Sequence, residues 1–496
     1  MSTRHFPILL TAVPLAFAAL CPVVGMWKKK LCFPWALAGA FLTTIFTWSL
    51  IWSVSAADPL SYSLAGWKPP WGIEIRVDYP GMLLAAIITG VGLLILLYSW
   101  RYIEHLLDAE KVPYYYTLYL LAFTSMLGFS ITGDLFNLFV FMELFQITSF
   151  VLVGITGEGR ALRAGFKYLV MAVSSSVTVL LAIAFLYSIT GSLNMADVGS
   201  LLSETGYVSA ADVALLLMLV SFAVKAALFP LHVWLPDAHS IAPSPVSALL
   251  SGLMIKMGVL GIFRVLFTIY GQGFADLSSA WSALAGVLAW AGALAIVAGS
   301  GMAIIQKDLK VMIAYSSVSH IGYIILGLCL LTTGGMTGGL FNILAHAMGK
   351  ACMFMVAGLF IYKHRARRIY SLRGLGRSMP ITSGAFAIAA MSIVGLPPTA
   401  GFMAKWYLLG GCLERGQYAF VVMVLAGSLL SAIYCFRVVY YLFFTGLRAQ
   451  GQPLEEGPAT MFVPAAVLAA GTLFFGVFSS LLTPSMNAIG QLFLSG

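Results

Sequence analysis

The sequence of 496 residues predicts an all-α polytopic membrane protein of about fourteen transmembrane helices. Three observations predict it. Hydrophobic residues make up 60% of the chain and charged residues only 9%, where soluble domains carry about 25% charge. Apolar runs long enough to cross a bilayer core of roughly 30 Å recur from end to end. Two of these runs, five spans apart, are interrupted by proline-rich stretches. The short alternating segments of a β-barrel are absent.

Matching apolar runs to span length places helices at 6–27, 31–54, 79–100, 113–133, 135–156, 164–190, 210–235, 243–270, 277–302, 309–331, 338–362, 381–411, 418–446 and 459–483. The first is read as a retained helix and not a cleaved signal, because little basic character precedes it. Of the 27 Lys and Arg residues, 17 fall in odd-numbered loops, 4 in even loops or termini and 6 inside spans. This bias predicts odd loops in the cytoplasm and both termini outside an inner (plasma) membrane. The basic loops also account for the net charge of +9, so nucleic-acid binding is not expected.

Pro230 and Pro236 interrupt the seventh span, and "GLPPTAGF" (Gly395–Phe402, with Pro397 and Pro398) interrupts the twelfth. Broken helices at membrane depth are tolerated where their backbone lines a cavity or is buried in protein. The spacing predicts two inverted five-helix repeats, spans 4–8 and 9–13, a common transporter plan. The corresponding segments are 1–112 (three N-terminal helices), 113–271, 272–446 and 447–496 (a C-terminal helix).

Six bases lie inside spans: Lys225, Lys256, Arg264, Lys350, Lys405 and Arg437. Glu143 is the one deep acid, and His232, His239, His320 and His346 lie in or beside spans. Ionisable groups there are costly and mark ion paths. At about 1.5 Å per residue, Glu143, Lys225, Lys256, His320, Lys350 and Lys405 all fall near mid-membrane. Fully ionised, one carboxylate and four lysines would leave three uncompensated positive charges, so some lysines are expected to be neutral part of the time. Such a lysine is a proton carrier, and Lys225 is expected to pair with Glu143. Each residue has a structural alternative. Glu143–Lys225 would be a plain buried pair, Lys256 and Lys405 would snorkel, and His346 and Lys350, one turn apart, would bind helix carbonyls. His320 would be a satisfied core histidine.

No cofactor or metal is expected in this chain. None of the six cysteines is at C-x-x-C spacing, and no phosphate-binding loop or dinucleotide fingerprint occurs. His232 and His239 are seven apart beside prolines, and no third ligand is evident.

"VKAALFPLHVWLPDAHSIAPSPVSALLSGLMIKMGVLGIFRV" (Val224–Val265), "YSSVSHIGY" and "HAMGKACMFMVAG" resemble the antiporter-like subunits of respiratory complex I, membrane-bound hydrogenases and Mrp-type Na⁺/H⁺ antiporters. The resemblance covers about residues 75–450. It implies a proton path of two half-channels joined by Glu143, Lys225, Lys256, His346, Lys350 and Lys405, with His320 at a position that is often histidine and the Glu143–Lys225 pair as a switch. His232, Pro230, Asp237, His239, Pro397 and Pro398 would support it. "GDLFNLFVFMELF" looks most like the D subunit of Mrp antiporters. The resemblance implies a proton-translocating subunit of a multisubunit Na⁺/H⁺ antiporter, working with other membrane subunits. The alternative is a pumping subunit of a redox complex, with any catalytic centre on a partner. A stand-alone solute transporter would need polar substrate groups beside the broken helices.

Overall fold

Helix initiation follows the local chemistry of each span. The computed structural model describes residues 5–51, 53–54, 59–204, 209–271, 279–446 and 456–494. Arg448, counted among the loop bases, and the start of the ninth predicted span (277–278) lie outside them. Helices α1 (Phe6–Trp27) and α2 (Cys32–Ile51) lead into α3 (Tyr79–Leu106), α4 (Val112–Ile131), α5 (Leu135–Gly154) and α6 (Gly159–Thr190). Asp78 caps α3 by accepting from Gly81 N at 3.0 Å, and Asp134 caps α5 by accepting from Asn137 N at 2.7 Å. Such caps satisfy amides that the first helical turn leaves unpaired. Burial raises the Asp134 carboxyl above its ordinary range, and the amides of Asn137 and Phe136 oppose that rise.

The chain continues through a short α7 (Met195–Glu204), α8 (Ser209–Lys225), α9 (Trp234–Ile241) and α10 (Ser244–Ile269). Then come α11 (Ser279–Ile305), α12 (Leu309–Cys329), α13 (Thr333–His364), α14 (Pro380–Val394), α15 (Ala400–Glu414), α16 (Tyr418–Phe444), α17 (Ala459–Val477) and α18 (Thr483–Leu494). Among the described residues, eleven helices are long and apolar enough to cross a membrane. The other three predicted spans are α4, whose tyrosines lower its hydropathy, and the two broken ones, α8/α9 and α14/α15. The protein is an all-α polytopic membrane protein. α10 and α13 are buried along their whole apolar length and form its axis.

Several expectations need correction. Pro236 does not break the seventh span: it is the third residue of α9, where a missing N–H costs nothing. That span therefore extends to Ile241, past its expected end at 235. The last span stops at Val477, and α18 follows a short turn. Two features were not anticipated. Residues 60–63 and 74–77 form an antiparallel hairpin, and α10 contains two π-helical segments, Leu250–Met254 and Arg264–Ile269.

Ion pairs and hydrogen bonds tie the loops together at each end of the bundle. Asp237 pairs with Lys167 at 2.5 Å, and Asp308 pairs with Arg367, whose guanidinium also donates to Ser240 O at 2.7 Å. These contacts join α6, α9 and the loops that hold Asp308 and Arg367 on the lysine- and arginine-rich face. At the opposite end, Glu74 accepts from Asn194 Nδ2 at 2.6 Å, and Arg264 pairs with Asp78.

Candidate functional site, a buried row of ionisable groups

Both broken spans end their first half in the same way. After Lys225, Ala227 N donates to Val224 O at 3.1 Å and Leu228 N to Ala223 O at 3.0 Å. After Ile393, Gly395 N donates to Ser392 O at 3.2 Å and Leu396 N to Met391 O at 3.0 Å. Each is a Schellman closure with one residue in the left-handed region, Ala227 at φ 54° and Gly395 at φ 85°. The closures leave carbonyl ends inside the protein, and a cation beside a helix C-terminus is favoured. Lys225 is the last residue of α8. Lys405 donates to the two final carbonyls of α14, Ile393 O at 3.1 Å and Val394 O at 2.9 Å.

At one end of the row, Lys225 and Glu143 do not touch. The Lys225 ammonium donates to Gln146 Oε1, to Ala172 O at 2.7 Å and to Ser176 Oγ at 3.3 Å. Gln146 Nε2 donates to Ser176 Oγ at 2.9 Å and reaches Glu143 Oε1 at 3.4 Å. In place of the expected direct pair, acid, amide and lysine form a chain of contacts. Gln146 lies one turn after Glu143 on α5 and, being uncharged, gives no signal in the sequence. Glu143 itself is only half-buried, on the α5 face that exposes Val140, Ile147 and Val151.

The middle of the row lies in the two most buried helices. Lys256 is fully buried, and its ammonium donates to Ser251 O at 2.5 Å, a carbonyl of the first π segment of α10. Ser251 Oγ is 2.8 Å from Ser317 Oγ on α12. Gly258 lets α10 lie against the end of α8: a Cβ there would sit 2.2 Å from Ala226 N. Lys350 donates to Ser316 Oγ and to Ile313 O at 3.3 Å. His346 stacks on His320 with ring centroids 5.3 Å apart, and neither His346 nitrogen has a protein partner. His320 Nε2 is 3.2 Å from Ile393 O, the carbonyl that Lys405 also uses, and its Nδ1 is 3.4 Å from Asn342 Oδ1. Lys405 also donates to Ser428 Oγ at 3.0 Å and lies 4.6 Å from the centre of the Tyr323 ring. The structure thus brings His346, His320 and Lys405 into one connected group. It places Lys225 and Lys256 on abutting segments without a hydrogen bond between them.

Comparisons with known proteins show the family of the chain. Residues 132–431 match the family described as NADH:quinone oxidoreductase/Mrp antiporter, transmembrane region, and residues 69–115 match the complex I chain 5 N-terminus. The chain belongs to the NADH:quinone oxidoreductase/Mrp antiporter family. It is 36% identical over 490 residues to the N subunit of the NADH-quinone oxidoreductase of Desulforudis audaxviator, covering 96% of each chain. It is 28% identical over 493 residues to the D subunit of the Na(+)/H(+) antiporter of Bacillus subtilis, covering 99% of this chain and 98% of the relative. A chain of the membrane-bound sulfane sulfur reductase, an archaeal respiratory membrane complex, superposes with TM-score 0.90 at 31% identity, covering 98% of this chain and 97% of that one. A chain of the Mrp complex from Dietzia sp. shares the fold, with TM-score 0.88 at 24% identity, over 100% of this chain and 98% of that one. These structural neighbours are chains of multisubunit membrane complexes.

The supporting residues of this family member are less uniform. Pro230, Pro397 and Pro398 lie in the unwound stretches and are exposed. Asp237 is exposed and joins α9 to α6 through Lys167. His232 stacks on Phe229 at 5.4 Å and meets Tyr315 edge-on at 6.2 Å. No cluster of three or more His, Cys, Asp or Glu residues suited to a metal occurs among the described residues. Arg264 and Arg437 act as anchors: Arg264 to Asp78, and Arg437 to Ile304 O at 2.5 Å and Gln306 O at 2.7 Å. Lys310, counted with the loop bases, is instead buried in α12 and donates to Ala242 O.

Proposed function

We propose that this chain carries protons across the membrane along the row Glu143–Gln146–Lys225, Lys256, Lys350, His346–His320 and Lys405, as one component of a multisubunit complex. The observation that carries this reading is the gathering of buried Lys225, Lys256, Lys350, His320 and Lys405 in and beside the two most buried helices, each held by carbonyl, hydroxyl or amide partners instead of by counter-charges. Two unit charges about 8 Å apart interact by roughly 2 kcal/mol at an effective dielectric near 20. That exceeds the 1.36 kcal/mol that shifts a neighbour's proton affinity tenfold, so charging one lysine drives a proton off the next. On this reading the repeats are residues 113–271 and 272–446, the basic face is cytoplasmic, the termini face outward and the membrane is the plasma membrane. Glu143, half-buried on an otherwise apolar α5 face, would be covered by a neighbouring membrane protein of the complex, because a carboxylate facing lipid is costly.

Two driving forces are supported by different observations. The 36% identity to a quinone oxidoreductase chain and the 31% identity to a sulfur-reductase chain, both nearly full length, support a redox-driven complex. The "GDLFNLFVFMELF" segment and the relatives named as D subunits of Na(+)/H(+) antiporters support cation exchange. The test uses inverted vesicles carrying the whole complex, a ΔpH dye, and pulses of Na⁺, K⁺ or Li⁺ against an added electron donor. Acidification that a cation pulse dissipates supports the antiporter. Acidification that requires the donor and ignores cations supports the redox drive. If neither condition moves protons through an assembled complex, the proposed function fails.

A further inference from the structure

An open cavity of about 290 Å³ lies at the end of the bundle opposite the lysine- and arginine-rich face, a size at the lower limit of ligand pockets. Arg76 of the hairpin, one side of α7, the last residues of α10 and Phe493 of α18 line it. α10 has 26 residues. It is therefore about 39 Å long against a hydrocarbon core of roughly 30 Å, so its ends reach the headgroup layers. Trp67 and Trp71, between the two strands of the same hairpin, are 66% and 87% exposed. Exposed tryptophans of a membrane protein concentrate at the membrane–water interface, which places the cavity at headgroup level.

The lining offers both donors and acceptors. Arg76 is half-buried, and its guanidinium has no hydrogen-bond or ion-pair partner among the described residues. No carboxylate is among the described lining residues. Thr268 carries a buried hydroxyl that also lacks a protein partner. These are donors, and the guanidinium fork matches a phosphate. The acceptors come from α10 and α7. Thr268 and Ile269 end α10, so their carbonyls have no partner within the helix. Gly199 leaves the space beside them open: a Cβ there would sit 2.9 Å from Thr268 O and 3.1 Å from Ile269 O. Ser200 Oγ donates to Asp197 O at 2.9 Å and Ser203 Oγ to Ser200 O at 2.6 Å, which leaves each oxygen as an acceptor. A helix C-terminus favours a cation. Phe267 and Phe493, with ring centroids 6.2 Å apart, add an apolar wall. A guanidinium alone would suit any anion, whereas this combination suits a zwitterion with a chain attached.

We propose that this cavity binds the headgroup of a phospholipid with a primary ammonium, of the phosphatidylethanolamine type. Arg76 and the Thr268 hydroxyl donate to its phosphate. Its ammonium donates to the terminal carbonyls of α10 and to the hydroxyl oxygens of Ser200 and Ser203, and an acyl chain lies over Phe267 and Phe493. The lipid thereby joins the hairpin, α7, α10 and α18. No group of the buried row takes part, so the lipid site is independent of the proposed function.

The experiment is native mass spectrometry of the purified complex, delipidated and then incubated with phosphatidylethanolamine, phosphatidylcholine or phosphatidylglycerol of identical chains. Wild type is expected to retain the ethanolamine lipid tenfold or more above Arg76→Ala. The choline lipid, whose ammonium has no N–H, and the glycerol lipid, which has no ammonium, are expected to be retained at least fivefold less than the ethanolamine lipid. Equal retention of ethanolamine and choline or glycerol lipids by wild type overturns the proposal, as does equal retention of the ethanolamine lipid by wild type and Arg76→Ala. If Arg76→Ala fails to assemble, Thr268→Val decides: it is expected to lower retention at least threefold, and wild-type retention overturns the site. Free phosphoethanolamine carries both charges without chains and tests the source. Displacement of the lipid only at a hundredfold excess or more supports the lipid, and displacement at equal concentration overturns it as the occupant.

Discussion

Lys225 shows how a buried charge is held without a counter-ion. Its ammonium has three acceptors, Gln146 Oε1, Ala172 O and Ser176 Oγ, and the nearest acid is reached only through the Gln146 amide. Removing one partner of a buried charge costs far more than exchanging both. Gln146→Leu should therefore lower proton flux at least tenfold in assembled complex, and Gln146→Glu should retain more of it by giving Lys225 an acid within reach. Flux in proteoliposomes checks this, and equal flux in wild type and Gln146→Leu would show the relay to be incidental. Glu143→Gln tests the other end. It should lower flux while leaving the Lys225 contacts and the thermal midpoint of the complex nearly unchanged, because Glu143 is half-buried and touches only the Gln146 amide.

The broken spans are held by local backbone chemistry, and here the two spans differ. Gly395 adopts φ 85° without strain, whereas Ala227 holds φ 54°, a conformation that costs an L-residue roughly 1–2 kcal/mol. Ala227→Gly should raise the thermal midpoint of the complex with flux unchanged. Gly395→Ala should lower both, since its Cβ would also sit 2.7 Å from Lys405 Cδ. Scanning fluorimetry of the two variants checks the sign of each. A second element-level device is the pair between Arg264, in the outer π segment of α10, and Asp78, the cap of α3, with Arg264 also donating to Ser130 O at 3.2 Å. Arg264→Ala removes the buried partner of the partly buried Asp78 carboxylate and should destabilise by up to about 3 kcal/mol. The double change Arg264→Met with Asp78→Asn should recover much of that loss, as read from denaturation midpoints.

For the whole molecule, what the sequence revealed depended on period and charge. Fourteen apolar runs, the charge bias of the loops and the burial of Lys225, Lys256 and Lys350 all read directly from the chain, because a bilayer fixes span length and penalises charge. The hairpin at 60–63 and 74–77 was not legible, since its short strands lie in a polar loop and owe their pairing to the helices beneath. The π segments of α10 were not legible either, because they arise from tertiary packing of apolar residues that would serve equally in an α-helix. Gln146 was missed because it is uncharged, and Lys310 because a lysine one residue inside a predicted span reads as a loop residue. Pro236 misled because proline breaks a helix only beyond its first turn. If the buried row conducts the proton, it does so through Lys256, which lies at its middle, sealed from water and held by one π-segment carbonyl. Proton flux by the purified complex in proteoliposomes, wild type against Lys256→Met, tests this directly. Conduction through the row requires an assembled variant whose flux is at least tenfold lower. An assembled variant with wild-type flux would contradict it.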